Sequence, residues 1–581
     1  GTMRTLKILP LVLALGAMPL TAAPQQQTSP QQATQQQVPQ QQALQPQPSM
    51  NEVVDKIVAQ EQVEVQSLRQ YSPIVETYIQ LLRSDKELGT VPKSDKYFLG
   101  RAELANGVEL EPLIKGTRVK HNLFGNVGSL FSMEFLPRGF LQMIYLDTNG
   151  FDRSHYKFNY VGREFLGEVR CLVFDVDPVS KDERGRFAGR IWVEDQGYHI
   201  VRFNGGYGGG SKTNYYFNFD SWRTNAGKNE WLPAYIYTEE VDNAKIQSFR
   251  AQTRLWSYAP RQILEEQELS KVLVETAKPV KDQSETANDY SPLEEKRAWG
   301  RQAEDNIAFK MEQLGLMSPP GEVDKVLETV VNNLEVTNNL DIEPMVRCRV
   351  LMTSTLESFT IGHTIVLSRG LIDVLPDEAS LAAVLAQELG HVVLGQRTMG
   401  TQYAFFNRLR FNEKETFHHF GFTHTAEEET AATREGIKLL KNSPYKDHLA
   451  NAQLFLQTLS DHSKEMANLV SPHLGNGLAA DLNGLIAPAT AQASAEKPTN
   501  NLMAALPLGG RIKVEPWNNQ LRLLKTKAVD APTTAEVAPF EVTPFMLYLT
   551  RQVDSTSVET PGAVSAKSVT DTVIPIPDIK P

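Results

Sequence analysis

Gln387, Glu388 and His391 have the types and the spacing that metal-dependent hydrolysis uses on a helix. Positions i and i+4 lie on one helix face, so the side chains of Gln387 and His391 can contact one ion. Glu388 is then placed to take a proton from a metal-bound water and to return it later. Zinc prefers imidazole or thiolate to a neutral amide oxygen, so the glutamine predicts a weakened site.

The surrounding residues predict a buried helix for this motif. The Pro-Asp-Glu sequence at 376–378 is typical of a helix start, and Gly395 is typical of its end. Residues 381–394 are apolar nearly all round, and Gly390 permits close backbone approach. The alternative interpretation is an internal polar network without metal, although a buried ionisable glutamate is costly to keep in a helix that only packs.

Two longer stretches carry a family resemblance. Residues 357–395, "ESFTIGHTIVLSRGLIDVLPDEASLAAVLAQELGHVVLG", are similar to the M48 peptidase family, in which an edge strand precedes a helix with the motif H-E-x-x-H. Residues 427–440, "EEETAATREGIKLL", resemble the second helix of the family, which supplies the third metal ligand, if Gly436 is aligned with the glycine of that helix. The resemblance covers roughly residues 290 to 480 and implies a zincin-like fold whose edge strand can bind a peptide by strand addition.

The resemblance also implies roles for individual residues. Glu388 would be the general base, His391 and Glu429 would be Zn²⁺ ligands, and Gln387 would be a weak ligand in place of a histidine. Thr433 stands where the family has an aspartate that orients a ligand, and loss of such a partner typically costs about 10 to 100-fold in affinity or activity.

Other histidines could complete the set of ligands. Some members of the family carry a histidine after the third-ligand helix, which makes His473 a speculative ligand. The remaining candidates are His363, His418, His419 and His424. For each of them a surface or hydrogen-bonding role is the alternative.

Alternating patterns between residues 96 and 258 predict antiparallel strands separated by Gly, Asp and Asn turns. The phrase "GRIWVEDQGYHIVRF" at 189–203 resembles the lipoprotein-carrier (LolA-like) half-barrel family. That resemblance implies a concave apolar surface for acyl chains or peptides, with a lipid or a lipoprotein as a possible partner. The alternative is that the aromatic residues only form the core of a β domain.

The expected fold class is therefore α+β and multidomain: an N-terminal antiparallel half-barrel-like domain, then a mainly helical zincin-like domain with a small edge sheet. The chain is expected to begin with a signal peptide at 1–23 and a Gln/Pro-rich disordered linker at 24–48. A helix and LolA-like β domain at 49–260, a linker at 261–290 and an M48 peptidase-like domain at 291–480 are expected to follow, and then a low-complexity segment with a C-terminal extension at 481–581.

Composition narrows the partners and the location. The net charge of −11 supplies no basic field for nucleic acid, so no nucleic-acid partner is expected. The positive start at residues 3–7 and the apolar run at 8–20 predict export to a bacterial periplasm or beyond it. Cys171 and Cys348 lie in apolar runs of different predicted domains, which favours two buried free thiols over a disulfide.

Three functional interpretations remain open from the sequence. The first is an exported zinc-dependent endopeptidase acting on protein or peptide substrates. The second is a pseudopeptidase that binds peptides, lipids or client proteins as a chaperone-like module in envelope quality control. The third is that Gln387 is an introduced, inactivating substitution.

Overall fold

The structure is a computed structural model. It describes residues 49–86, 89–114, 137–180, 183, 185–208, 217–241, 247–258, 291–397, 417–475, 478, 505–509, 511–524 and 540–552. These described residues form one compact unit. The predicted signal peptide, the predicted glutamine-rich linker and the predicted linker at 261–290 lie outside the described residues.

The N-terminal region contains one ten-stranded antiparallel sheet with the order β3-β2-β1-β10-β9-β8-β7-β6-β5-β4. Its strands are β1 (Ile74–Asp85), β2 (Gly89–Glu103), β3 (Glu109–Pro112), β4 (Tyr156–Leu166), β5 (Val169–Pro178), β6 (Arg186–Glu194), β7 (Ile200–Gly208), β8 (Phe219–Gly227), β9 (Glu230–Glu240) and β10 (Phe249–Trp256). Most neighbours follow each other in sequence, as short turns between alternating runs predict. The expected antiparallel sheet is thus confirmed, whereas the lipoprotein-carrier likeness stays a prediction.

Each face of this sheet packs against a different part of the chain. One face buries Phe203, Phe219 and Phe249 under helices α1 (Met50–Leu68) and α2 (Pro137–Gln142). The other face contributes Trp222 and Trp256, among others, to a hydrophobic core that continues into the C-terminal half. Strands β8, β9 and β10 are therefore buried on both sides along most of their length, whereas the outer strand β4 is largely exposed.

The C-terminal half is mainly helical around a three-stranded sheet. Its strands are β11 (Arg347–Leu351), β12 (Ser358–Ile361) and β13 (Thr364–Ser368), in the order β11-β13-β12. Its helices are α3 (Pro292–Gln313), α4 (Glu322–Thr337), α5 (Arg369–Val374), α6 (Glu378–Val393), α7 (Ala426–Lys441), α8 (Ala450–Asp461) and α9 (Ala467–Val470). Together with the large sheet, these elements confirm the expected α+β class.

Helix α6 begins and ends as the sequence predicts. The Asp377 side chain caps its N-terminus by accepting a hydrogen bond from the Ser380 backbone N–H at 2.8 Å. Gly395 follows the end of the helix with a φ of 65°, which costs a glycine little. Every residue from Ala379 to Val392 is buried, so α6 is a central helix.

Helices α6 and α7 approach each other backbone to backbone. A Cβ atom added at Gly390 would lie 2.5 Å from the carbonyl oxygen of Ala432, and one at Gly436 would lie 3.0 Å from that of Ala386. Only glycine fits such contacts without displacing a helix. The contact places the first turn of α7 beside the polar residues of α6.

A buried polar cluster joins the large sheet to the helical half. Glu76 on β1 accepts hydrogen bonds from the backbone N–H and the hydroxyl of Ser354, at 2.6 and 2.5 Å, and from the Tyr97 hydroxyl at 2.6 Å. The guanidinium of Arg369, 1% exposed, lies 3.2 Å from the same carboxylate. A buried charge persists only with such partners, so this cluster fixes how the two halves pack.

The C-terminal extension returns to the large sheet. It forms a two-stranded sheet of β14 (Ile512–Glu515) and β15 (Gln520–Leu523). Further on, the Gln80 side chain on β1 donates to the Phe540 carbonyl at 2.8 Å and accepts from the Val542 N–H at 2.9 Å. Part of the region predicted as low-complexity sequence and extension is therefore packed.

The cysteines and the hydropathy of the helices complete the description of the fold. Cys171 and Cys348 are buried free thiols, as expected. Among the described residues, no helix has both the length and the apolar character needed to cross a membrane.

Candidate active site

The α6–α7 contact brings four predicted site residues together. The amide Nε2 of Gln387 donates to the Glu429 Oε2 atom at 3.1 Å. The His391 Nε2 atom lies 3.5 Å from the same oxygen. Glu388 is adjacent on α6, and all three α6 side chains are 5% exposed or less. The expected face-sharing of residues 387 and 391 is therefore present, with Glu429 opposite both.

The N-terminal cap of α7 fixes where the helix begins and so places Glu429 in its first turn. Thr425 and Glu428 form a reciprocal capping box, with the Glu428 backbone N–H bonded to the Thr425 hydroxyl. Burial raises the pKa of Glu429, but the hydrogen bond and charge of His391 outweigh it and hold the pKa below its ordinary value. Glu429 is accordingly the ionised carboxylate of the site.

His391 is oriented by a residue that the sequence analysis missed. Its Nδ1 atom lies 2.7 Å from the Oε1 atom of Gln396, just after the helix-ending Gly395. An amide oxygen accepts, so Nδ1 donates to it, and the other ring nitrogen, Nε2, is the one that faces Glu429. Burial alone would lower the pKa of His391, but the Glu429 and Glu388 carboxylates raise it above its ordinary value.

Thr433, at the position of the family's orienting aspartate, has a different contact. Its hydroxyl donates to the backbone carbonyl of Glu429 at 2.9 Å. Gln396 and not Thr433 thus contacts the His391 ring. No periodicity points to Gln396, because its position depends on the turn that follows the helix.

Glu388 is held by the edge strand. The Ser358 hydroxyl on β12 donates to the Glu388 Oε1 atom at 2.6 Å. Complete burial raises the pKa of Glu388 to about 7, and the Glu429 charge adds to this, while His391 and the Ser358 hydrogen bond oppose it. A carboxyl with such a pKa is suited to proton transfer near neutral pH.

Among the other histidines, His424 reaches the site and His473 does not. The His424 ring stacks on His391 with 3.8 Å between centroids and 11° between planes. His473 instead stacks on Tyr97, and its backbone N–H donates to Glu357 at 2.9 Å. Completion of a metal site by His473 stays a prediction that these contacts do not support.

His363 lies at another place again. It lies in the turn between β12 and β13, where its Nδ1 atom is 3.3 Å from the Glu304 carboxylate on α3. The sequence identifies these histidines as candidates, but their positions in space depend on loops and on long-range packing.

The edge strand β12 is covered. All four of its residues are buried. The Phe422 ring stacks on Phe359 with 4.7 Å between centroids, and a Cβ atom at Gly475 would lie 2.7 Å from the Ser358 carbonyl oxygen. A peptide could therefore reach this strand only after the segments around Phe422 and Gly475 move.

The residues at the site do not fit a zinc ion. A catalytic zinc site takes three protein ligands of imidazole, thiolate or carboxylate type, and here His391 and Glu429 are the two such groups that face each other. The His424 ring lies parallel to His391 and its nitrogens face Thr360 and Glu428, while Glu388 is bonded to Ser358. Within the described ranges, no group of three or more His, Cys, Asp and Glu side chains could hold a metal. Gln387 points its N–H donor at Glu429, and its buried Oε1 atom has no hydrogen-bond partner among the described residues.

Comparison with known families gives one match. Residues 321–473 match the profile of the family described as Peptidase family M48. No curated protein matched the chain. The matched range contains α6, α7 and all five predicted site residues, so the chain carries an M48 peptidase domain and is a metallopeptidase-like protein.

The raised pKa of Glu388 predicts a pH-dependent stability. A carboxyl with a folded pKa of about 7 and an ordinary value of 4.5 stabilises the fold while protonated. That stabilisation is complete below pH 4.5 and is lost as pH rises through 7. Glu388→Gln keeps the acceptor for Ser358 and cannot ionise. Relative to this variant, the wild type should lose on the order of 3 kcal/mol between those two pH values.

Urea unfolding of EDTA-treated protein at pH 5 and pH 8 measures this difference. Glu427→Gln, at an exposed position of α7, serves as the matched control and should leave the pH dependence unchanged. Equal pH dependence in the wild type and Glu388→Gln would refute the burial of an ionisable Glu388.

Proposed function

We propose that the protein is an exported, M48-type pseudopeptidase that acts by binding and not by hydrolysis. The observation that carries this proposal is the hydrogen bond from the Gln387 amide to Glu429. A donor occupies the position from which the family's first ligand would contact the metal. The carboxylate is then stabilised by two protein groups, Gln387 and His391, without an ion.

The covered edge strand supports the same proposal. In a peptidase of this type, β12 would pair with the substrate backbone. Here the Ser358 hydroxyl is bonded to the general-base candidate Glu388, and Phe422 packs on the strand. Both features favour a domain that stays closed. Export rests on the N-terminal sequence pattern alone.

The proposed ligand-binding site lies beside the large sheet. A cavity of about 670 Å³ opens between the end of α1 and the turn after β2. Its lining is mixed: Val65, Leu104 and Val108 are apolar, Asn106, Asp147 and Asn149 are polar, and Arg69 brings a positive charge. The proposed ligand is an acyl chain with an anionic head group: Arg69 can pair with the head group, and the acyl chain rests on the lipoprotein-carrier resemblance of residues 189–203.

Gln387→His should create a zinc site. The substitution supplies the missing imidazole beside His391 of α6 and Glu429 of α7, so about one zinc per chain is expected after dialysis. The wild type and Gln387→Ala should retain almost none. Elemental mass spectrometry measures the zinc content, and a casein-cleavage assay follows the same samples. One zinc per chain in the wild type would contradict the proposal.

Ala105→Trp should block the proposed ligand cavity. Ala105 lines the cavity and is exposed, so an indole can enter the opening without disturbing the core. Binding of cis-parinaric acid, followed by its fluorescence, should weaken at least about tenfold. Val326→Trp, at an exposed position of α4, is the control. Unchanged binding in Ala105→Trp would place the acyl chain elsewhere.

A further inference from the structure

A second cavity lies at the β11 edge of the three-stranded sheet, which is the edge opposite β12. It has a volume of about 600 Å³ and is enclosed by α3, α4 and the outer strand β11. Its apolar lining includes Ala308, Phe309 and Pro320. The α6–α7 centre contributes no lining residue, so this groove is independent of Gln387 and of the proposed function.

Most charges in the groove are already paired. Arg347 bonds to Asp305 at 2.6 Å. Arg349 bonds through its Nη2 atom to Glu312 at 2.7 Å. Glu328 accepts the backbone N–H of Cys348 at 3.1 Å, which also blocks part of the β11 edge. The groove therefore holds few polar atoms without an assigned partner.

Two buried polar atoms in the groove lack such a partner. Asp324 is 5% exposed; its Oδ2 atom accepts the Gly321 N–H at 2.8 Å, but its Oδ1 atom has no partner among the described residues. The Nε atom of Arg349 is likewise buried without a partner in the part of the chain that the structure describes. A buried acceptor and a buried donor left unsatisfied each cost free energy that a ligand could recover.

The electrostatics of Asp324 agree with a missing positive group. Burial raises its pKa to about 6, and Glu328 and Glu312 add to this, while the Gly321 hydrogen bond and Arg349 oppose it. The lining contains four carboxylates against three basic groups.

We propose that this groove binds an α-ammonium group with an adjacent carbonyl or carboxylate oxygen. With the Asp324 and Arg349 side chains turned toward the groove, the ammonium would donate to Asp324 Oδ1, and the oxygen would accept from Arg349 Nε. An apolar side chain on the same carbon would rest on Ala308 and Phe309. Free amino acids and peptide N-termini share this chemistry.

Calorimetric titration of the full chain tests the assignment. The probes are L-leucine, leucinamide, the tripeptide Leu-Ala-Ala and N-acetyl-leucinamide, whose blocked nitrogen carries no charge. The first three present the ammonium, and at least one should bind, while the acetylated probe should not. Binding of leucine alone would identify a free amino acid as the ligand, and binding of the tripeptide alone would identify a peptide N-terminus.

Two variants localise the binding. Asp324→Asn keeps an oxygen for the Gly321 N–H but removes the charge, so affinity should fall at least about tenfold. Arg349→Lys keeps the charge but removes Nε and should weaken leucine binding. Asp305→Asn, in the same groove but paired with Arg347, is the control and should bind as the wild type does.

The proposal is overturned by any of three results. These are no binding of the three charged probes, equal binding of the acetylated probe, and unchanged affinity in Asp324→Asn. Circular dichroism and the unfolding midpoint of each variant establish that a loss of binding is not a loss of fold.

Discussion

The backbone contact between α6 and α7 is the constraint on which the centre depends. Gly390 lies against the Ala432 carbonyl, and Gly436 lies against that of Ala386. Interhelical distance is set by the side chains at the contact, and glycine allows the smallest distance. This backbone contact, and not the side chains at positions 387 and 391, holds Glu429 beside those positions. The helices can therefore keep the same packing with glutamine at position 387.

Once the helices are held together, the polar residues between them need partners. A carboxylate removed from water is costly unless charged or hydrogen-bonded groups replace its hydration. Glu429 receives the Gln387 amide and faces His391, and Gln396 fixes the other nitrogen of that ring. Glu388 has Ser358 as its donor. A network of this kind accounts for the retained polar residues without requiring an ion.

Local signals in the sequence predicted the elements but only part of the site. The Asp377 cap, the terminal Gly395 and the apolar residues between them define α6, and helix periodicity places Gln387 and His391 on one face. The position of Glu429 followed from the family resemblance. Gln396, Ser358 and His424 reach the centre from a turn, a strand and a loop, and no short-range pattern encodes such contacts.

The packing of the two halves was not predictable from their separate patterns. Alternation predicted the antiparallel sheet, but not that one face would share a core with the M48 domain. That contact depends on pairs distant in sequence, such as Glu76 with Ser354 and Gln80 with Val542. Composition indicated low complexity beyond residue 480, whereas the anchoring of Val542 depends on a side chain in β1.

The central claim is that protein donors alone stabilise Glu429. An anomalous difference map, recorded at the zinc absorption edge from crystals grown with excess zinc, tests it most directly. We expect no peak between His391 and Glu429, with the Gln387 amide nitrogen within hydrogen-bonding distance of the carboxylate. A peak coordinated by His391 Nε2 and Glu429, with the Gln387 amide turned to present its oxygen, would contradict it.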